Sequence, residues 1–386
     1  MLNPSQQDVS KAIAHHLQHP GISIDTYVKR RAIELGSSLS SFTKVYLDKR
    51  FWILLRDASI GRSTCPAVHS LLNSLRLAVQ KGDLICPISD SIFFELLKQE
   101  DIKTRRSTAE LIDELSHGVT LVPSEQRIGQ ELIGVFTKFA DDGKEYHIVD
   151  HLVWAKLGYV LGVIHPTLPS ADPDTERAIQ KAFFDYMWEF PLAAQIDTIG
   201  EDGYRKPESF DVTANQINKL NRQHQGEVRN IRRVYIDEFR GVLSLCMHYP
   251  RSWLEQQYEL KTGELYRLNP EEVRRHEHDL YTFFGNLIAH KKQAALMLPT
   301  LHISALCYAA IRWDQQRNLS PNDIYDFHHA AAAIGYCNAF LTEKPLMHLL
   351  AQRQLEINTD FSCTVISDID EANDWVLSKI NRSATG

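Results

Sequence analysis

Three acids occupy similar local settings and could share one task. Asp48 ends the apolar run Val45-Tyr-Leu, and a helical-looking stretch, Arg50-Phe-Trp-Ile-Leu-Leu-Arg56, follows it. Glu95 lies in Ile92-Phe-Phe-Glu-Leu-Leu97, after a second strand-like run at Leu84–Ser89. Asp326 lies a turn inside a helix that starts near Pro321 and runs into Ala330-Ala-Ala-Ala333. Carboxylates gathered in one cleft repel each other and raise each other's pKa. A divalent cation removes that conflict, and hard oxygen donors suit Mg²⁺ or Mn²⁺. Such an ion lowers the pKa of a water and polarises a phosphoryl oxygen, which is the chemistry of phosphodiester hydrolysis.

The elements that must position these acids follow from local signals. Ser320 is a helix cap with Pro321 at the first position, and Asp323 completes a capping box, so Asp323 is structural. Asp326 is too deep in the helix to cap it. The alanines give a slim face that can lie close to a sheet, Gly335 is expected to stop the helix, and Ala339–Thr342 reads as a short buried strand. Ser89 is expected to cap the helix that carries Glu95, and Asp90 reads as a favourable first-turn charge. Apolar Phe93, Phe94, Leu96 and Leu97 surround Glu95, which calls for a partner. In open α/β sheets, sites form at the carboxyl ends of strands.

This arrangement resembles the PIN-like nuclease family. The matching residues are the strand-end Asp48, the Glu95 of Pro87–Leu97, Asp326 four residues before the first alanine, and Thr342 at the end of the next strand. The family pattern often continues Thr-x-Asp. Here Lys344 holds the acid position and Glu343 comes one residue early, while Asn338 stands where some relatives carry an acid. The resemblance covers residues 41–139 and 300–380. It implies an α/β fold, a parallel-sheet PIN-like domain with a large all-helical insertion. It further implies a metal-dependent endoribonuclease with Asp48, Glu95 and Asp326 as catalytic metal ligands, Glu343 as a displaced fourth ligand, RNA as substrate and a toxin or defence role. The alternative is a catalytically weak or inactive PIN-like scaffold or adaptor, which Lys344 and Asn338 favour. A third reading, an all-helical interaction protein with an accidental acid pattern, runs against the strands ending at Asp48 and Thr342.

The 386 residues exceed one ordinary domain. Residues 1–40 read as helical, with stops near Gly21 and at Gly36-Ser-Ser. Residues 41–139 alternate strand and helix, including a strand at Val119–Val122 and a helix capped by Ser124, which predicts a parallel sheet. Residues 140–299 read as a helical insertion, with helices at Ile148–Leu161, Thr175–Phe190, Asn215–Cys246 and Pro270–Leu298. Loops separate them at Pro166–Pro173 and Gly200–Ser209. Alternation returns in 300–386, with a last strand at Cys363–Ser367 and a helix from Ile369.

Apolar residues make up 44% and charged residues 24%, which are globular values. The net charge of −7 excludes a uniformly basic nucleic-acid coat, though local patches can still steer an anion. Arg222, Arg229, Arg233 and Arg240, spaced 7, 4 and 7, would fall within roughly 40° of one helix face. Such a stripe can track phosphates, or it is a solvated or ion-paired face. His328 and His329 point about 100° apart on a helix, so one packed and one surface histidine is the simpler reading. Six cysteines without a Cys-x-x-Cys pair predict reduced thiols in a cytoplasm. No apolar run approaches the ~20 residues of a membrane span, and Met1–Gln7 has no signal-peptide pattern. A homo-oligomer or a regulatory protein partner completes the expectation.

Overall fold

The computed structural model describes residues 6–139, 148–200, 210–227, 230–266, 268–290 and 295–380. The chain divides into two compact units: residues 1–123, 150–207 and 368–386 form the first, and 124–149 and 208–367 the second. These boundaries differ from the divisions at 40, 139 and 299 read from the rhythm of the sequence. Rhythm follows local element type, whereas units follow packing. Most described residues are helical.

In chain order, the first unit begins with α1 (Gln6–Leu17), α2 (Ile24–Ser38), β1 (Thr43–Leu47), α3 (Lys49–Ser59) and α4 (Pro66–Gln80). It continues with β2 (Leu84–Ile85), α5 (Asp90–Leu97), α6 (Ile102–Ser116) and β3 (Val119–Leu121). The chain enters the second unit with α7 (Ser124–Phe139) and returns to the first with β4 (Trp154–Lys156), α8 (Pro173–Trp188) and α9 (Leu192–Ile199). The second unit then takes α10 (Asp211–Gln223), α11 (Ile231–Leu245), α12 (His248–Thr262), α13 (Pro270–His290), α14 (Pro299–Trp313) and α15 (Pro321–Tyr336). It ends with β5 (Ala339–Leu341), α16 (Lys344–Leu350), α17 (Ile357–Asp360) and β6 (Thr364–Ile366), and α18 (Ile369–Ile380) closes the first unit.

In the first unit β1 and β2 pair in parallel, with Thr43 opposite Leu84 and Lys44 opposite Ile85. Val45, Tyr46 and Leu47 are all buried. A continuous buried run, in place of alternation, marks a strand covered on both faces. Leu121 N donates to the Ile88 carbonyl at 2.9 Å, and β3 pairs antiparallel with β4 through Val119–Lys156, Thr120–Ala155 and Leu121–Trp154. An aromatic group of Tyr27, Tyr159, Phe184 and Trp188 packs nearby.

Strand β4 corrects the all-helical insertion. The helix expected over Ile148–Leu161 is instead two short 3₁₀ turns, Val149–His151 and Leu157–Tyr159, on either side of a strand. Val153, Trp154 and Ala155 are buried, and a short apolar run does not by itself separate a strand from a buried helix. α2 ends at Ser38, the last residue of the expected Gly36-Ser-Ser stop, and Gly36 lies inside its last turn. A Cβ there would lie 2.5 Å from the His151 backbone, so the glycine permits a close approach. Gly36→Ala is expected to lower stability by about 1–3 kcal/mol, measured by thermal unfolding. An unchanged melting temperature would show that the His151 turn yields freely.

The second unit packs α7, α11, α13 and α14 around Leu132, Phe239, Leu243, Phe284, Leu298 and Leu301. β5 and β6 pair in parallel, Ala339 opposite Thr364 through Leu341 opposite Ile366. Ala330–Ala333 are buried, as the slim face requires. Gly335 does not stop α15, which runs to Tyr336. Its missing side chain lets α15 approach α14, since a Cβ there would stand 3.0 Å from Pro299 Cβ. The helix expected over Asn215–Cys246 is broken: α10 ends at Gln223, and Asn230 caps α11 by accepting from Arg233 N at 2.8 Å. The loop expected at Gly200–Ser209 lies, from 201 on, outside the described residues. No described helix is long and apolar enough to cross a membrane.

Candidate functional site

Asp48 follows the last residue of β1 and forms the N-cap of α3. Its Oδ1 accepts from Phe51 N at 3.1 Å, and the residue is 6% exposed. The positive end of the helix dipole favours a carboxylate there. The acid therefore has a structural duty whether or not it has a catalytic one. The next residue, Lys49, carries its ammonium to 3.6 Å from Oε1 of Glu95. Glu95 is buried, as are Phe93 and Leu96 beside it. Thus the start of α3 supplies one acid and a cation that meets the other.

Ser89 holds the N-cap position of α5 but makes no side-chain cap bond, contrary to expectation. Its hydroxyl lies 2.7 Å from the Tyr46 hydroxyl, which ties the start of α5 to β1. A buried hydroxyl partner outcompetes the local cap. Asp90 accepts from Ser91 N at 3.0 Å, consistent with a first-turn charge.

Asp326 is half-buried on α15 in the second unit. Burial first, then the charges of Asp326 and Asp323, push the Cys307 thiol up, which places both carboxylates near α14. Asp323 makes the capping box read from the sequence. It accepts from Ser320 N at 2.7 Å, its own N–H donates to Ser320 Oγ at 3.1 Å, and Arg317 pairs with it. Asp323→Ala is expected to cost about 1 kcal/mol in denaturant unfolding, with any nuclease activity retained. Loss of activity at unchanged stability would move Asp323 into the chemistry.

His329 is buried, and half-buried His328 stacks on Phe210 with centroids 6.4 Å apart and planes 16° apart. Thr342 N donates to the Ile366 carbonyl at 2.9 Å, and the Asn338 carbonyl accepts from Thr364 N at 3.0 Å. Glu343 and Lys344 are exposed at the start of α16, where Glu343 makes no side-chain cap bond.

The arginine stripe does not form on one helix. Arg222 lies in the last turn of α10 and reaches Asn318 Oδ1 at 3.2 Å, whereas Arg233 and Arg240 belong to α11. Arg229 lies outside the described residues. Because α10 ends at Gln223 and α11 starts at Ile231, Arg222 does not share one helical rotation with Arg233 and Arg240. Arg233 pairs with Asp237 at 3.3 Å, and half-buried Arg240 packs against Gly285.

Sequence reasoning missed two charged features. One is Lys49 as the partner of Glu95. The other is a buried carboxylate, Glu131 on α7, with no exposure. Its Oε1 accepts from Thr300 N at 3.0 Å and from the Tyr336 hydroxyl. Glu131 falls between Ile128, Leu132 and Val135 on the apolar face of its helix, and that is a legible signal.

Asp48, Glu95 and Asp326 offer hard oxygen donors, the right chemistry for Mg²⁺ or Mn²⁺. Among the described residues, however, no group of three or more His, Cys, Asp or Glu is placed to hold a metal ion. All six cysteines are free thiols, five of them buried. No family model, no curated protein and no solved structure matches the chain.

Proposed function

We propose that the chain is a PIN-like, metal-dependent nuclease, an endoribonuclease that hydrolyses RNA phosphodiester bonds in the cytoplasm. Asp48, Glu95 and Asp326 are its acids and Glu343 an auxiliary one. A bound Mg²⁺ or Mn²⁺ would supply an activated water and charge neutralisation. The observation that carries this reading is in the first unit. A buried strand-end acid at a helix start is followed by a lysine that touches a second buried acid. Two buried carboxylates supplied by the N-cap of α3 and by α5 are the hard oxygen donors that a divalent cation takes.

Incubation with total RNA and Mn²⁺, with cleavage ends mapped, tests the proposal. Cleavage that stops on chelation supports it, and single-stranded DNA in parallel defines the nucleic acid. Absence of cleavage on both, with Mg²⁺ and Mn²⁺, overturns it.

The second reading, an inactive scaffold or adaptor acting with a regulatory partner or a second copy, is favoured by the Lys49–Glu95 pair and the Asp48 cap. Each acid already has a protein partner there. Calorimetry with Mn²⁺ separates the two. Under the nuclease reading, Lys49→Gln removes a competing ammonium and tightens Mn²⁺ binding several-fold. Under the scaffold reading neither protein binds the ion.

A further inference from the structure

A cavity of about 720 Å³ opens in the first unit where α1 packs on α8. Its volume is in the range of small-molecule sites, roughly 300–1,000 Å³. Val9 and Ile13 of α1 line one side, and Ile179, Phe183 and Tyr186 of α8 line the other. Val9 is 42% exposed, unusual for an apolar residue facing a neighbouring helix. Phe190 also lines it, its ring tilted 40° on that of Tyr186 at 5.4 Å. None of these residues belongs to the nuclease reading.

The charged groups on this lining are all acidic: Asp8, Asp185 and Glu189, with no Lys or Arg among the described residues that line it. Asp185 is fixed from below, with Oδ2 2.8 Å from His16 Nε2 and Oδ1 accepting from the Tyr27 hydroxyl at 2.7 Å. Arg31 stands 4.0 Å from the same Oδ1 and offsets part of that charge. Asp8 and Glu189 are exposed. Lys156 acts on Glu189 from outside the lining, and an anion entering this cavity would still meet only carboxylates among the charged groups that line it. Aromatic faces beside carboxylates attract organic cations through the ring quadrupole and direct Coulomb terms.

The geometry points to a binding site for a small amphipathic organic cation, an ammonium with an apolar or aromatic body, between α1 and α8. The apolar body fills the space between Ile13 and Phe183, and the cation faces Glu189 and Asp8. The inference is independent of the nuclease proposal and survives its failure.

Two probes of one shape and opposite charge test it on the full chain: tetraphenylphosphonium and tetraphenylborate, titrated by calorimetry. The cation is expected to bind at one site per chain and about tenfold more tightly than the anion. The pair Asp8→Asn with Glu189→Gln alters only exposed side chains, and it is expected to erase that preference. Ala12→Phe fills the cavity and is expected to weaken the cation. Equal affinities for the two probes, no saturable binding, or a preference untouched by the charge pair would each overturn the assignment. If the filling variant fails to fold, the charge pair still decides.

Discussion

Asp48→Asn is expected to reduce Mn²⁺-dependent RNA cleavage by on the order of 10²–10³-fold while leaving the melting temperature unchanged. Asparagine caps a helix about as well as aspartate does, so it can still accept from Phe51 N as Asp48 does at 3.1 Å. What it loses is the negative charge a divalent cation needs. Asp48→Ala loses both, so it is expected to lose cleavage and about 1 kcal/mol of stability as well. The pair of variants therefore separates the cap from the chemistry at one position. Asp326→Asn offers an independent arm, because Asp326 lies beyond the cap of α15. Wild-type cleavage by the folded Asp48→Asn protein would sink the nuclease proposal for this acid. Loss of folding in Asp48→Asn would show that the negative charge itself holds the start of α3.

What the sequence disclosed was whatever local chemistry determines. The run Val45-Tyr-Leu ending in an acid became β1 with its cap, and Ser320 with Asp323 became a capping box. In both cases the deciding contacts lie within four residues. The parallel pairings followed from alternation with helices. What stayed hidden depended on partners distant in sequence. Gly335 read as a helix stop and the packing role of Gly36 went unseen, since a glycine that serves close packing looks like any other until His151 or Pro299 is brought against it. Ser89 read as a cap because nothing local reveals the Tyr46 hydroxyl. The arginine stripe failed for a different reason. Periodicity was extended across Gly226 and Asn230, two turn-forming residues whose local signal outweighs rotation arithmetic. Lys49 beside Asp48 was legible as a charge but not as the partner of Glu95, which lies 46 positions later.

Glu131 gives the second large effect, and its sign can be worked out. Burial pushes its carboxyl from the ordinary value of 4.5 up to about 7, despite the hydrogen bonds from Thr300 and Tyr336 and the nearby Arg127 guanidinium that favour the charged form. The second oxygen, Oε2, is buried without a hydrogen-bond partner, so ionisation there is poorly compensated. The other ionisable groups around it are themselves held in their neutral forms, Tyr336 by burial and the Glu131 charge, and Cys246 by burial and the charges of Glu125 and Glu131. The folded protein thus keeps a proton at Glu131 that the unfolded chain releases above its lower pKa. Stability from this group is fully present below pH 4.5 and is lost as pH rises through about 7, a loss of about 3 kcal/mol across that window. Glu131→Gln mimics the protonated acid: its carbonyl can still accept from Thr300 N and from Tyr336, and it never ionises. The variant is therefore expected to match the wild type near pH 4.5 and to exceed it by about 3 kcal/mol at pH 8. Denaturant unfolding of both proteins at several pH values reads the difference, in which the seventeen histidines cancel. Parallel curves for the two proteins across the window would show that Glu131 titrates alike folded and unfolded. A Glu131→Gln protein that is less stable at pH 8 would show that the ionised carboxylate is what holds the first turn of α14.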